Sequence, residues 1–249
     1  MSTGPSTKFD HIAIGMERMA DAVDILVGRL GGRPDSGGPG PGGRFRWAAW
    51  SFEGGGSIEV IEPAGVDGFL HRFLAARGPG LHHVTFRVRS LADAVARAET
   101  QGYRLVGRDE SHPDWRVAYL HPKEALGIVV QLGQSGGRYG RRPWEVPSGP
   151  AAPPPAVRVL GLRTRAWTAD RARLQWERAL GGTLIHATDA ALIFRWLPSP
   201  MRIVAEIAPD ADEGPLAIDL APGRDLGLPA GPLPPLGTTF VVDRRLTQY

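Results

Sequence analysis

The stretch Gly80-Leu81-His82-His83-Val84-Thr85-Phe86-Arg87-Val88 decides the fold. It is a short apolar run carrying a histidine where an aliphatic side chain would be easier to bury. Phe9-Asp10-His11-Ile12-Ala13-Ile14 has the same character. His11 and His83 lie 72 positions apart, and so do Glu59 and Gln131, in Ser57-Ile58-Glu59-Val60-Ile61-Glu62 and Ile128-Val129-Val130-Gln131-Leu132. Ala20-Asp21-Ala22-Val23 returns as Ala92-Asp93-Ala94-Val95 at that same offset. One offset through three separate matches reads as an internal duplication.

Working outward, each copy reads as a βαβββ unit. The first has a strand at 9–14, a helix at 19–30 closed by Gly31-Gly32, strands at 44–52 and 57–61, and a short helix at 68–76. The second has strands at 81–88, 105–108, 116–121 and 127–132, with a helix at 91–101. The Gly- and Pro-rich stretch 32–43 reads as a mobile loop, so the first of the three later strands is not clear in copy one. Strict alternation puts Ile12, Ile14, Val84, Phe86 and Val88 under the helices. His11, Glu59, His83 and Gln131 then project from the opposite face, while Asp10 and His82 fall on the helix side. The two copies would form one curved sheet, a cup with its polar residues converging inside.

The run Pro147-Ser148-Gly149-Pro150-Ala151-Ala152-Pro153-Pro154-Pro155 can form neither helix nor central strand and reads as a semi-rigid linker. After it, a strand at 159–165, a helix at 168–180 and strands at 192–196, 202–207, 216–220 and 238–242 suggest a third, degenerate βαβββ unit. The expected organisation is a paired βαβββ cup at 1–144, a linker at 145–157 and a degenerate unit at 158–249, an α+β fold throughout. Counting back from Ala169 as His11 precedes Ala20 lands on Leu160, so the third unit has no histidine there. Glu206 is the residue of ligand type near its later strand, and the half is assigned a structural or dimerising role.

Composition excludes several classes. The chain has 249 residues, no cysteine and a formal net charge of +3. The sequence pI is about 9.7, yet the arginines are scattered, which argues against nucleic-acid binding. Without cysteine there is no disulfide and no thiolate chemistry. No run approaches the roughly 18 apolar residues of a membrane span, so a cytoplasmic protein with a small-molecule substrate is the expectation.

Two imidazoles and a carboxylate converging from three strands are a metal-site composition, suited to Zn, Co, Ni, Mn or Fe as a divalent ion. Gln131 could add a neutral oxygen. A lone strand histidine is usually a satisfied structural residue, but two at matching positions, each with a polar partner 48 residues on, argue otherwise. For a substrate pocket the aromatic and basic residues of the later strands are taken, Arg46, Trp50, Trp115 and Tyr119. Trp47 falls on the other face from Trp50, and alternation leaves open which face is inside.

Paired βαβββ units with these strands resemble the vicinal oxygen chelate superfamily, which includes glyoxalase I, methylmalonyl-CoA epimerase, extradiol dioxygenases and the fosfomycin and bleomycin resistance proteins. The resemblance covers about residues 8–134. It is nearest to the epimerase branch, through Phe9 to Ile14, Ile58 to Pro63, Arg77 to His83 and His121-Pro122-Lys123. It implies a divalent metal on His11, Glu59, His83 and Gln131. The epimerase order is His, Gln, His, Glu, so amide and carboxylate are exchanged here. Those epimerases also carry a glutamate base before the strand leading to the Gly-rich turn, where this chain has Gly40-Pro41-Gly42-Gly43. The implied function is isomerase, epimerase or glyoxalase-type enolate chemistry on a small carbonyl or CoA-type substrate. Glu59 is the acid placed in the cup for the catalytic role. The alternatives are a metal-free, drug-sequestering binding protein and an Fe(II)-dependent oxygenase; a homodimer fits all three.

Overall fold

The computed structural model of the protein describes residues 7–136, 146–147, 149–221 and 223–243. The linker expected at 145–157 therefore lies partly outside the described residues, at 145 and 148, as do both ends of the 1–144 unit and the end of the 158–249 unit. Among the described residues no helix is long and apolar enough to cross a membrane.

The fold is α+β, dominated by two curved mixed sheets. The first contains β1 (Thr7–Gly15), β2 (Arg33–Pro39), β3 (Phe45–Ser51), β4 (Ser57–Pro63), β5 (Gly80–Val88), β6 (Leu105–Asp109), β7 (Trp115–Leu120) and β8 (Val129–Ser135). Their spatial order is β2-β3-β4-β1-β5-β8-β7-β6. The stretch 32–43 is thus not a free loop. β2 completes the edge, and its glycines permit the pairing: a Cβ on Gly37 would come within 2.8 Å of the Trp47 carbonyl oxygen.

β1 runs parallel to β4 with Ala13 opposite Glu59, and β5 runs parallel to β8 with Thr85 opposite Gln131. Both pairs sit at the 72-residue offset, so the two halves of this sheet share one register. Helix α1 (Phe69–Arg77) joins β4 to β5. Helix α2 (Leu91–Thr100) starts at Ser90, whose hydroxyl accepts from the Asp93 amide, and buries Leu91, Ala94, Val95 and Ala98 against the sheet. The segment expected as a helix at 19–30 is a tight turn at Met19–Ala22 followed by a wide-turned helix at Asp24–Arg29.

The second sheet contains β9 (Val159–Ala166), β10 (Thr183–Ala187), β11 (Ala191–Arg195), β12 (Arg202–Ile207), β13 (Gly214–Leu220) and β14 (Phe240–Val242), in the order β10-β11-β12-β9-β13-β14. This order and its strand directions match β2-β3-β4-β1-β5-β8, and among the described residues no strand takes the places of β7 and β6. The helix before β10 ends as the one before β2 does. Leu30 and Leu180 amides each bond five residues back, and Gly31 and Gly181 both take φ near +70°. That left-handed conformation suits glycine alone at little cost.

The helix-side faces of the two sheets share one apolar core. Phe9 stacks on Phe86 at 5.0 Å, and Trp196 of the second sheet lies 4.7 Å from Phe86 and 6.4 Å from Trp176. Polar bonds cross the same boundary: the Ser199 hydroxyl donates to the Phe9 carbonyl (2.7 Å), and Arg97 Nε donates to the Ala179 carbonyl (2.8 Å). The helix side is closed by this packing, so the concave face of the first sheet is left to carry a site.

Candidate metal centre

β1 and β5 are neighbours in the middle of the first sheet, and each carries a bulge. Phe9 pairs with Phe86 and His11 with Thr85, which leaves Asp10 as the extra residue on β1. Ala13 pairs with His83 and Ile14 with Leu81, which leaves His82 as the extra residue on β5. A bulge lets two successive side chains turn to one face. Asp10 and His82 therefore face the cup beside the histidines that follow them, not the helices as strict alternation would have it. This corrects the sequence reading, which had no means of locating an extra residue.

The consequence is chemical. His11 Nδ1 lies 3.1 Å from an Asp10 carboxylate oxygen, and His83 Nδ1 lies 2.9 Å from His82 Nδ1. Placing the ring protons on His11 Nδ1 and His83 Nδ1 leaves both Nε2 atoms as lone pairs. Those two atoms are buried with no hydrogen-bond partner. Each faces Glu59, His11 Nε2 at 3.6 Å from Oε2 and His83 Nε2 at 3.6 Å from Oε1. One ligand atom from each of His11, Glu59 and His83 lies within 4.8 Å of the others. A buried polar atom left unpaired costs about 1–3 kcal/mol. Two neutral imidazole lone pairs aimed at one carboxylate are what a divalent cation requires, so the donor set fits a metal.

Electrostatics divide: Asp10, His82 and His83 are shifted toward the states a cation would meet, His11 and Glu59 away from them. Burial works to raise Asp10, but its bond to His11 and the nearby charges of His11, Arg87 and Lys8 hold it down at about 2. Burial would lower His11, yet Glu59 and Asp10 outweigh it and raise that imidazole. Glu59 is raised by burial, which His11 opposes and Asp10 reinforces. His83 is pushed well below the ordinary imidazole value by burial, then by His82 and His11. His82 is pushed down to about 4 by burial alone. A neutral His82 and His83 and an ionised Asp10 are the states a cation would meet.

Gln131 lines the same cavity, but its amide is engaged elsewhere. Thr85 Oγ1 donates to Gln131 Oε1 at 2.7 Å, and Gln131 Nε2 donates to the Tyr119 hydroxyl at 3.1 Å. The structure thus links Gln131 to Thr85 and Tyr119 rather than to His11, Glu59 and His83, and it leaves the Tyr119 hydroxyl proton available to the cavity.

The cavity measures about 1260 Å³. Trp115 and Tyr119 line it, as do Phe45, Trp47, Ala49 and Ser51 of β3. Arg46 and Trp50, expected in the pocket, are on the other face. Trp50 is fully buried in the core opposite Ile58, and Arg46 bonds Glu62, whose other oxygen accepts from the Met19 amide. The parity of β3 follows from Ala49 lying opposite Glu59, a pairing alternation alone does not reveal. Asp35 also lines the cavity, at a further irregularity between Pro34 and Ser36 on β2. Sequence reasoning misses it because its strand reads as a loop; the polar Asp35-Ser36 pair among glycines is the available signal.

Residues 10–119 match the model of the Glyoxalase/Bleomycin resistance protein/Dioxygenase superfamily. That match covers 110 of the 249 residues, and the paired strand order and the His/Glu cluster lie within or beside it. One curated relative is the uncharacterized protein YqjC of Bacillus subtilis (strain 168), 31% identical over 77 residues, which are 30% of this chain and 55% of that protein. The chain thus spans about half the length of that relative. A mutant 4-hydroxymandelate synthase from Streptomyces coelicolor shares the fold, with a TM-score of 0.62 at 13% identity, over 88% of this chain and 72% of that one. The methylmalonyl-CoA epimerase of Mycobacterium tuberculosis aligns at a TM-score of 0.49 and 25% identity, over 55% of this chain and 94% of that one.

Proposed function

We propose that this chain is a metal-dependent enzyme of the vicinal oxygen chelate type, an isomerase, epimerase or glyoxalase-like protein that moves a proton beside a carbonyl. The observation that carries this reading is the pair of buried, unpartnered Nε2 atoms facing one carboxylate. His11, Glu59 and His83 hold the ion, and Asp10 and His82 fix their tautomers. A bound divalent ion supplies Lewis acidity toward a substrate carbonyl oxygen and the enolate charge that develops there.

Glu59, committed as a ligand, is not free to act as the base. Asp10 is bonded to His11 and Arg87. Asp35 is the remaining cavity-lining carboxylate among the described residues, and it takes the proton in this reading. The Thr85–Gln131–Tyr119 chain turns a hydroxyl proton toward the substrate oxygen. Two imidazoles and one carboxylate are also the set of non-haem iron oxygenases, so the identity of the metal matters. The same reading carries a cytoplasmic location, a homodimer and the division at 145–157 as expectations.

The test is elemental analysis of the purified protein, as isolated and after incubation with divalent ions, beside His83→Ala. About one metal per chain in the wild type and its loss in the variant is the expected result. Iron would move the assignment to oxygenase chemistry. No metal in either protein would sink the enzyme reading and leave a metal-free binding protein.

A further inference from the structure

We infer that the cavity holds a subsite for a second anionic group of the substrate, formed by Lys8 and Arg87 at the end of the cup away from α1. This rests on the metal-dependent reading of the same cavity and narrows the substrate to carbonyl compounds with a remote carboxylate or phosphate.

Lys8 and Arg87 are direct cross-strand partners on β1 and β5, and both line the cavity. Like charges in that relation destabilise a sheet unless something answers them. Asp10 answers in part: its carboxylate accepts from Arg87 at 3.1 Å, but the same oxygen faces His11. Lys8 is half-buried and has no ion-pair partner among the described residues. Two cations and one shared carboxylate leave a positive remainder at the cup's end.

Arg87 is also pre-positioned. Its guanidinium lies 5.8 Å from the Trp115 ring centroid. The ring reaches there only because Gly133 has no side chain: a Cβ would come within 2.5 Å of the indole. The opposite end is different in kind. Phe45 contacts Phe69 at 5.4 Å, and Phe69 and Phe73 contact His82 at 5.4 and 4.8 Å. Arg72 of α1 is the one arginine or lysine lining that end among the described residues, exposed and set among these rings, against the two cations paired at the other end. The cavity therefore sets one direction. His83 and Arg87 are four residues apart on one strand, about 13 Å along its axis, and the Arg87 guanidinium leans back to Asp10, the partner of His11. The anionic group then lies roughly 10 Å from the substrate's metal-facing oxygens.

The test uses the full chain, metal-loaded and metal-free, with 2-oxooctanedioate and 2-oxooctanoate as probes. The two have the same chain length and differ by one terminal carboxylate. Binding is read by calorimetry at low and high salt for the wild type, Lys8→Ala and Lys8→Glu. Expected are about tenfold tighter binding of 2-oxooctanedioate by the wild type, a preference cut about threefold in Lys8→Ala and abolished in Lys8→Glu. High salt should shrink the preference. Equal affinities, a preference insensitive to both substitutions, or binding of neither acid to the metal-loaded protein would each overturn the subsite. A failure of the metal reading looks different: affinities would not depend on metal, while the charge preference and its loss in the Lys8 variants would remain.

Discussion

The two sheets place their strands alike and use their centres differently. Register aligns them residue by residue. Ala13 lies opposite Glu59 and His83, and Arg163 lies opposite Val204 and Ala217. His11 pairs with Thr85, and Gly161 with Asp219; Gln131 pairs with Thr85, and Val241 with Asp219. The bulges recur as well, with Leu160 and Leu216 as the extra residues where the first sheet has Asp10 and His82. His11, Glu59, His83 and Gln131 thus correspond to Gly161, Val204, Ala217 and Val241. Counting back to Leu160 misses this position by one, because Ala169 sits one place out of this register.

Where the first sheet presents an electron-rich cluster, the second presents Arg163. Its guanidinium donates to Asp219 at 3.0 Å, Glu206 at 2.9 Å and Asp243 at 2.7 Å. One cation there ties β9, β12, β13 and the end of β14 together from within the chain. In the second sheet a protein cation joins the central strands across the concave face; in the function proposed above, a metal ion takes the matching place in the first. Only the latter leaves open positions for a substrate.

The comparison can be broken in three ways. Arg163→Ala strands three carboxylates and is expected to lower unfolding free energy by about 3–5 kcal/mol in denaturant titrations, while metal content per chain stays the same. A small loss, or a change in metal content, would mean the two centres are not counterparts. Next in size, Asp10→Asn removes the charged partner of His11 and is expected to weaken metal binding about 10- to 100-fold, read by competition with a chelating dye. An unchanged affinity would deny Asp10 its orienting role.

The smallest effect concerns pH. Burial raises Asp219 from the ordinary 3.8 to about 7, against the pull of Arg163. The folded state therefore binds that proton more tightly than the unfolded chain does. Its contribution is present below about pH 4 and is lost as pH rises through about 7. Asp219→Asn should flatten the fall in Tm between about pH 5 and pH 8. A slope equal to that of the wild type would show that the carboxyl is already ionised throughout.

Much of the candidate site is legible in the residues alone. The 72-residue offset marks His11, Glu59, His83 and Gln131 as one set, the two parallel strand pairs keep that offset in their register, and residue type points to a metal. β2 and β10 escape such a reading because pairing, not propensity, holds Gly- and Pro-rich Arg33–Pro39 and the short Thr183–Ala187 in place. Alternation assigns the pocket wall to Trp50 instead of Trp47 because period two gives two faces and no sign.

The sequence by itself determined which polar residue types meet at the candidate site and most of the strand plan, since both depend on residue identity and local spacing. Tertiary structure decided which neighbours orient the ligands, which tryptophan faces the cavity and what became of the centre of the second sheet. Those outcomes depend on bulges and cross-strand register, where one extra residue exchanges the inner and outer faces of a strand.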